Sequence, residues 1–268
     1  MQPSRRAFLI AAPAALTAAG LAPAHAAQQS ATDPHASFPL QDPALVREIV
    51  GASHRDIDRV RALLQQAPQL ANASIDWGFG DWESALGAAA HTGRVNIAEL
   101  LLAHGARADL FALTMLGKLD AVKAIIESSP GIQRTRGPHA ISLLAHARAG
   151  GDHAKPVLDY LTTLGDADLP LKDDPLTPDQ RAIYLGTYAY GPDPSQRFAI
   201  EENREALVCK RATLSPQRLR NQGDHTFMPA GGLDVRLVFE VENNRAVRIT
   251  VTTPAALLTA EHTAAPAP

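Results

Sequence analysis

The amino-acid sequence predicts an α+β protein with two structured parts, an all-α stack of helix pairs followed by a small antiparallel β barrel or sandwich. Apolar residues recur at helical spacing over residues 42–167, where Ala and Leu dominate. Over residues 182–253 they alternate with polar residues instead, and Val, Ile, Tyr, Phe and Thr are enriched. Between the two parts, residues 168–181 are rich in Pro and Asp, which is typical of a linker.

The first 27 residues have the pattern of an export signal. Arg5-Arg6 precedes a short apolar run that ends at Ala24-His25-Ala26, and a basic start, an apolar middle and a small-residue exit mark a cleaved signal. The apolar run is about a dozen residues long, fewer than the roughly 18 to 20 that cross a bilayer. Together with Phe8-Leu9, which follows it, the Arg pair resembles the twin-arginine (Tat) signal class. This resemblance implies a periplasmic or secreted protein. Residues 28–41 are polar and are expected to form a disordered linker.

A helix–Gly–helix pattern recurs through residues 42–167. Its clearest copy is residues 84–106, which start with Ser84-Ala85-Leu86-Gly87, turn at Gly93 and close with Leu101-Leu102-Ala103-His104-Gly105-Ala106. This copy resembles an ankyrin repeat, and its glycines stand at helix ends, where a left-handed residue is favourable. Looser copies over residues 55–64, 117–127 and 142–161 predict about four repeats, above the minimum of about three for a stable stack. A plain helical bundle is the alternative to a repeat stack, but a bundle would not need the helix–Gly–helix pattern to recur.

The second part has the features of a small all-β domain. Residues 182–190 are predicted to form a strand with a bend at Gly186, and residues 235–251 alternate on both sides of Asn243-Asn244, which suits a tight hairpin turn. The order of these segments resembles small lipocalin-like β domains, which are appended to exported bacterial proteins. Residues 254–268 form an Ala/Pro tail with little to bury and are expected to be disordered.

Composition excludes some classes of function. The chain has 25 basic and 28 acidic residues and a net charge of −3, which rules out a strong electrostatic footprint for nucleic acid. No segment after the signal is apolar enough for a membrane span, so none is expected. Cys209 is the only cysteine, so it cannot form a disulfide within the chain, and its strand-like neighbours predict a buried, inert thiol.

The familiar catalytic and metal-binding motifs are missing from the sequence. It has no G-x-S-x-G, no HExxH, no Cys pair and no phosphate-binding Gly loop. We therefore predict that the protein is not an enzyme and that it has no catalytic residue, no cofactor and no bound metal. His139, His146 and His153 are seven residues apart, but seven residues of helix span about 10 Å, too far for one ion. We expect these histidines to be structural, with rings that hydrogen-bond to the neighbouring backbone as ankyrin histidines do.

One segment has the composition of a recognition surface. Both tryptophans of the chain lie within residues 77–83, between the first two predicted repeats, where ankyrin-like stacks project hairpin tips. Aromatic side chains on such a tip are typical of binding hot spots. The residues expected to contact a partner are Trp77, Phe79, Asp81, Trp82 and Glu83. The alternative is that one or both indole rings cover the neighbouring helix.

Three functional hypotheses follow from the sequence. The leading one is an exported, non-catalytic protein that binds another exported protein through its repeats. The second is a small apolar ligand held inside the β domain, between Tyr184, Tyr188, Phe198, Phe227 and Phe239. The third is a metalloprotein or a hydrolase-associated enzyme that uses His139 and His146.

Overall fold

The first half of the structure is built from consecutive helix pairs. The computed structural model describes residues 36–211, 214–254 and 256–263, so the predicted signal over residues 1–27 lies outside the described residues. Within them, the four pairs are α1 (Pro43–Ala52) with α2 (Ile57–Gln66), α3 (Ala85–His91) with α4 (Val95–Ala103), α5 (Leu110–Met115) with α6 (Leu119–Ser128), and α7 (Leu143–Ala149) with α8 (Lys155–Leu164). The first helices α1, α3, α5 and α7 contact one another in turn and form one layer.

Local sequence explains where these helices begin and how closely they pack. Side chains accept a hydrogen bond from a backbone N–H of the first turn at the start of five helices: Asp42, Asp56, Ser84, Asp109 and Ser142. The alanines of α3 are buried, and small side chains let neighbouring helices approach. Gly93 turns the chain between α3 and α4 with φ +68°, against the carbonyl of Ala149 in α7.

A short β-hairpin interrupts the helical half between α2 and α3. Strand β1 (Ser74–Asp76) pairs antiparallel with β2 (Trp82–Ser84), and Ser84 then caps α3. The hairpin therefore lies between the first two helix pairs, as the sequence predicted for residues 77–83. It also brings the helical half into contact with the second half of the chain.

The second half is a closed, eight-stranded antiparallel barrel, which confirms the predicted small β barrel. Helix α9 (Pro178–Ala182) precedes the strands, which are β3 (Gly186–Ala189), β4 (Arg197–Asn203), β5 (Ala206–Lys210), β6 (Gln217–Gly223), β7 (Thr226–Pro229), β8 (Arg236–Glu242), β9 (Arg245–Thr252) and β10 (Leu257–Thr263). Each strand pairs with its neighbour in sequence, and β10 closes the barrel by pairing with both β9 and β3. Asn243 and Asn244 form the β8–β9 turn with φ values of +48° and +62°.

The structure corrects three predicted boundaries. The tail over residues 254–268 is not wholly disordered, because β10 lies within it and Ala260 is buried in the barrel core. Without β10, strands β9 and β3 would each leave an unpaired edge, and closure removes both edges. The strand predicted for residues 182–190 is shorter, since α9 ends at Ala182 and β3 begins at Gly186. Residues 36–41, part of the predicted disordered linker, include a turn before α1.

The predicted linker over residues 168–181 is fixed to the barrel surface. The Asn221 backbone N–H donates to Asp173 Oδ1 at 3.0 Å, and the Asp174 N–H donates to the Asn221 carbonyl at 3.1 Å. Arg218 Nη2 also lies 2.8 Å from Asp173 Oδ2. These bonds run along β6, so the segment that joins the two halves has a defined path.

Four aromatic rings pack together inside the barrel. Tyr184, Phe227 and Phe239 are in mutual contact, with ring centroids 4.8 to 5.4 Å apart, and Tyr188 packs on Phe239 at 5.7 Å. All four rings are buried, and the Tyr188 hydroxyl donates to the Tyr184 carbonyl. This packing argues against the hypothesis that an apolar ligand lies among these four rings.

The single cysteine provides a test of the barrel packing. Cys209 is 2 % exposed on β5, and burial raises the pKa of its thiol to about 12. Because the thiolate is the reactive form, we expect negligible reaction with a thiol reagent at pH 8 in the folded protein and full reaction in guanidinium chloride. Rapid stoichiometric labelling of the folded protein would contradict this packing.

Candidate functional site

The turn of the hairpin has an unusual backbone. Gly78, Phe79 and Gly80 have φ values of +113°, +59° and +79° in succession, a conformation that glycine adopts freely and phenylalanine rarely does. The Trp77 N–H donates to the Asp81 carbonyl at 3.0 Å, and the Gly78 N–H donates to Asp76 Oδ1 at 2.8 Å. A strained non-glycine residue held by such bonds is typical of a functional loop.

Strand alternation separates two neighbouring side chains of the hairpin. Trp82 is 63 % exposed, whereas Glu83 is 1 % exposed, because successive residues of β2 point to opposite faces. The indole Nε1–H of Trp77 donates to Glu83 Oε2 at 2.7 Å. The hairpin therefore presents Trp82 to solvent and holds the Glu83 carboxylate inside the protein.

Three histidines from different parts of the helical half surround the Glu83 carboxylate. His54 follows α1, His91 ends α3, and His139 lies in the turn Pro138–Ala140 before α7, with φ +58°. His91 Nδ1 lies 3.1 Å and His139 Nε2 lies 3.4 Å from Glu83 Oε1, and His54 Nε2 lies 3.5 Å from Glu83 Oε2. One nitrogen or oxygen of each of the four side chains lies within 4.8 Å of the others. Among the described residues, these four are the ones that offer a metal ion such a donor set.

Asp81 fixes His139 and also contacts the barrel. Its Oδ1 accepts the His139 backbone N–H at 2.7 Å, and its Oδ2 lies 2.7 Å from His139 Nδ1. Gln217 Nε2 of β6 donates to the Trp77 carbonyl at 3.3 Å and lies 3.5 Å from Asp81 Oδ2. A Cβ atom at Gly231 would lie 2.0 Å from Asp81 Cγ, so this barrel loop needs glycine to approach the hairpin.

The charged groups of the site stabilise one another despite their burial. Burial alone would raise the pKa of Glu83, but His139, His91 and His54 outweigh it and lower the pKa to about 2. Burial opposes the charge of His139 in the same way, yet its bond to Asp81 and the nearby Glu83 carboxylate raise its pKa to about 10. The bonds from His139 likewise lower the pKa of Asp81 against the effect of burial.

A cleft of about 1100 Å³ lies between the hairpin and the barrel. The helical half lines it with Phe79, Asp81, Trp82, Glu83 and residues 136–138. The barrel lines it with apolar and aromatic side chains, which include Tyr190, Phe198, Cys209, Val235, Val251 and Leu258. Phe79 stacks on Phe198 with ring centroids 6.3 Å apart. Asp81 and Glu83 belong both to the cleft wall and to the histidine cluster.

The five residues predicted to contact a partner differ in their exposure and contacts. Trp82 is exposed at the cleft, and Phe79 is half-buried there against the barrel. Trp77 packs against the helical core with Arg47 over its ring, which matches the alternative prediction for one of the two indoles. Asp81 and Glu83 are buried and bound to histidines, so they are not free to pair with charges on a partner.

The three evenly spaced histidines do not meet. His146 is fully buried in α7, where its Nδ1 lies 2.8 Å from the Ser142 carbonyl, which is the backbone bond expected for such a histidine. His153 is exposed beyond α7, and only His139 joins the cluster. Sequence reasoning missed His54 and His91, although both stand at the carboxyl ends of the first helices of adjacent pairs. A histidine that recurs at the end of the first helix in adjacent pairs is the sequence signal that could have identified them.

Comparison with known proteins gives no assignment. No protein-family model and no curated protein matches the chain. Among the described residues, none of the helices has the length and apolar character needed to cross a membrane. The cleft and the histidine cluster are therefore the features that bear on function.

Proposed function

We propose that this is an exported, non-catalytic binding protein whose cleft holds a segment of another exported protein. In this proposal the four helix pairs are an ankyrin-like stack, and the barrel is a lipocalin-like module that completes the binding site. The layer of first helices and the glycine turn within the clearest pair support the ankyrin-like assignment. The single observation that carries the function is the cleft, because both halves of the chain line it.

The cleft is large enough for a short peptide segment. Sites for small ligands commonly measure about 300 to 1,000 Å³, and this cleft measures about 1100 Å³. Its apolar wall contains Phe198 and Val251, whereas Arg211 lies over the ring of Tyr190 at 5.6 Å. Trp82 is the exposed tryptophan on its wall, and tryptophan is the residue type most enriched in binding hot spots.

The export part of the proposal depends on the N-terminal sequence. Arg5-Arg6 and the small-residue exit at Ala24-His25-Ala26 support export by the Tat route, with the protein acting in the periplasm or outside the cell. The partner is then a protein of the same compartment.

A second candidate function follows from the barrel end of the cleft. Phe198, Cys209 and Val251 of the barrel core line the cleft, whereas the other four core aromatics do not. A small apolar ligand bound at this mouth, rather than among the four rings, is therefore the alternative to a peptide.

Capture of partners from periplasmic extract tests the proposal. We expect the wild-type protein to retain a specific exported protein and Trp82→Ala to weaken this complex about 30-fold, the effect of losing a hot-spot side chain worth about 2 kcal/mol. Phe38→Ala removes another exposed aromatic, 70 % exposed and outside the cleft, and should leave the complex unchanged. Trp77 is unsuitable for this test because its indole also binds Glu83.

Two outcomes would overturn the peptide proposal. The first is a list of captured proteins that is identical for the wild type and Trp82→Ala, with equal affinities. The second is an apolar small molecule in the native protein, detected by mass spectrometry after solvent extraction and lost from a Val251→Arg variant. That second result would establish the alternative function at the barrel mouth.

A further inference from the structure

We propose that His54, Glu83, His91 and His139 form a binding site for a divalent first-row transition-metal ion, with zinc as the best fit. Zinc holds imidazole nitrogens and carboxylate oxygens at about 2.0 to 2.2 Å in tetrahedral geometry, so neighbouring ligand atoms lie about 3.3 Å apart. The histidine nitrogens lie 3.1 to 3.5 Å from the Glu83 oxygens. These distances are close to the separation of ligands around one ion, and the four donor atoms all lie within 4.8 Å of one another.

Hydrogen bonds outside the cluster orient the imidazole rings of His54 and His139 toward the Glu83 carboxylate. His54 Nδ1 lies 3.0 Å from the Val50 carbonyl, and His139 Nδ1 lies 2.7 Å from Asp81 Oδ2. In each ring the Nδ1–H is thereby engaged, and Nε2 faces Glu83, where it would coordinate the ion after the ion displaces any proton it carries. A metal-bound histidine typically donates its other N–H to a carbonyl or a carboxylate in this way.

The centre of the cluster contains two buried polar atoms without hydrogen bonds. Glu83 Oε1 and His91 Nδ1 have no hydrogen-bond partner of acceptable geometry among the described residues, although they lie 3.1 Å apart. The side chain of Glu83 is fully buried and that of His91 is 10 % exposed. Buried polar atoms are normally satisfied, and a cation between these two would satisfy both.

Charge balance also favours a divalent cation. Asp81 and Glu83 are two buried carboxylates, and their ion-pair partners among the described residues are histidines, not Lys or Arg. A divalent ion that displaced the imidazole protons would leave two carboxylates, three neutral imidazoles and the ion, with a net charge of zero. Buried charges are tolerated when they are paired or coordinate a metal.

The donor set selects among metals. Three imidazoles and one carboxylate suit zinc and its first-row neighbours, whereas Ca²⁺ and Mg²⁺ require a shell of oxygen ligands. Four protein ligands from separate elements are typical of a structural zinc site. The ion would join the ends of α1 and α3 to the hairpin and to the segment before α7, beside the wall of the cleft.

Metal titration of the full-length protein tests this proposal. After removal of metal with a chelator, we expect the wild type to bind one equivalent of Zn²⁺ in competition with a chromophoric chelator. His91→Ala and Glu83→Gln should each weaken binding more than about 100-fold, since loss of an outer contact alone weakens metal binding 10- to 100-fold. His153→Ala removes an exposed histidine outside the cluster and should bind as the wild type does.

A spectroscopic measurement on the wild type keeps the test independent of variant folding. Co²⁺ bound at this site should give the intense visible absorption of tetrahedral cobalt, and Zn²⁺ should remove it. Circular dichroism checks that each variant is folded. The proposal is overturned if the wild type binds no stoichiometric Zn²⁺, or if folded Glu83→Gln and His91→Ala variants bind it with wild-type affinity.

Discussion

Gly93→Ala is expected to lower the free energy of unfolding by about 2 to 5 kcal/mol, a large effect for the addition of a single methyl group. Gly93 has φ +68°, and a Cβ atom there would lie 2.2 Å from the carbonyl oxygen of Ala149. Backbone strain in the left-handed region contributes about 1 to 2 kcal/mol. The remainder comes from forcing α7 away from the turn between α3 and α4, because a carbonyl cannot move as a side chain does. Urea unfolding followed by circular dichroism measures the change.

Gly105→Ala is the matched control for this prediction. Gly105 also has a positive φ, +86°, but a Cβ atom there would have no other atom within 4 Å. Gly105→Ala should therefore lower the free energy of unfolding by the backbone strain alone, about 1 to 2 kcal/mol. Equal destabilisation by the two substitutions would mean that α7 does not pack against this turn.

Asp81→Ala is expected to destabilise the metal-free protein by about 3 kcal/mol, because it removes the carboxylate that holds His139. Asp81 is 3 % exposed and bonds both the backbone N–H and the ring of His139. The expected loss is at the low end for a buried ion pair because the side chain of His139 is 34 % exposed and solvent screens part of its charge. Denaturant unfolding in the presence of a chelator gives the value without any contribution from bound metal.

Asp159→Ala provides the comparison for an exposed carboxylate. Asp159 pairs with Lys155 at 3.1 Å on the surface of α8, and the side chain of each is more than half exposed. Such a pair contributes about 0.5 kcal/mol. If Asp81→Ala destabilises the protein no more than Asp159→Ala does, the hairpin is not held by its buried carboxylate.

The sequence contained enough information for the main division of the fold. The change from helical spacing to alternation reflects the faces that helices and strands bury, so both halves could be predicted from local patterns. Asn243-Asn244 predicted its hairpin because both residues tolerate positive φ. Strand β10 was missed because Ala260 is the one buried residue of Leu257–Thr263, so the segment has no clear apolar alternation, and its place depends on closing the barrel with β3 and β9.

The candidate site was predictable only in part. The composition of residues 77–83 pointed to the hairpin, on which Trp82 is exposed and Glu83 joins the histidine cluster. Whether Glu83 faces solvent or the interior depends on the register of a three-residue strand, which no local pattern fixes. His54, His91 and His139 converge because helix layers stack in a particular register. That convergence is a long-range property and is not contained in the spacing of histidines along the chain.

Anomalous diffraction from crystals grown with Zn²⁺ tests the central claim most directly, namely that the hairpin carries a metal centre beside the cleft. We predict one strong zinc peak at about 2.0 to 2.2 Å from a nitrogen of His54, His91 and His139 and from an oxygen of Glu83. Crystals without a peak at this position, or with zinc only at exposed histidines such as His104 or His153, would contradict it.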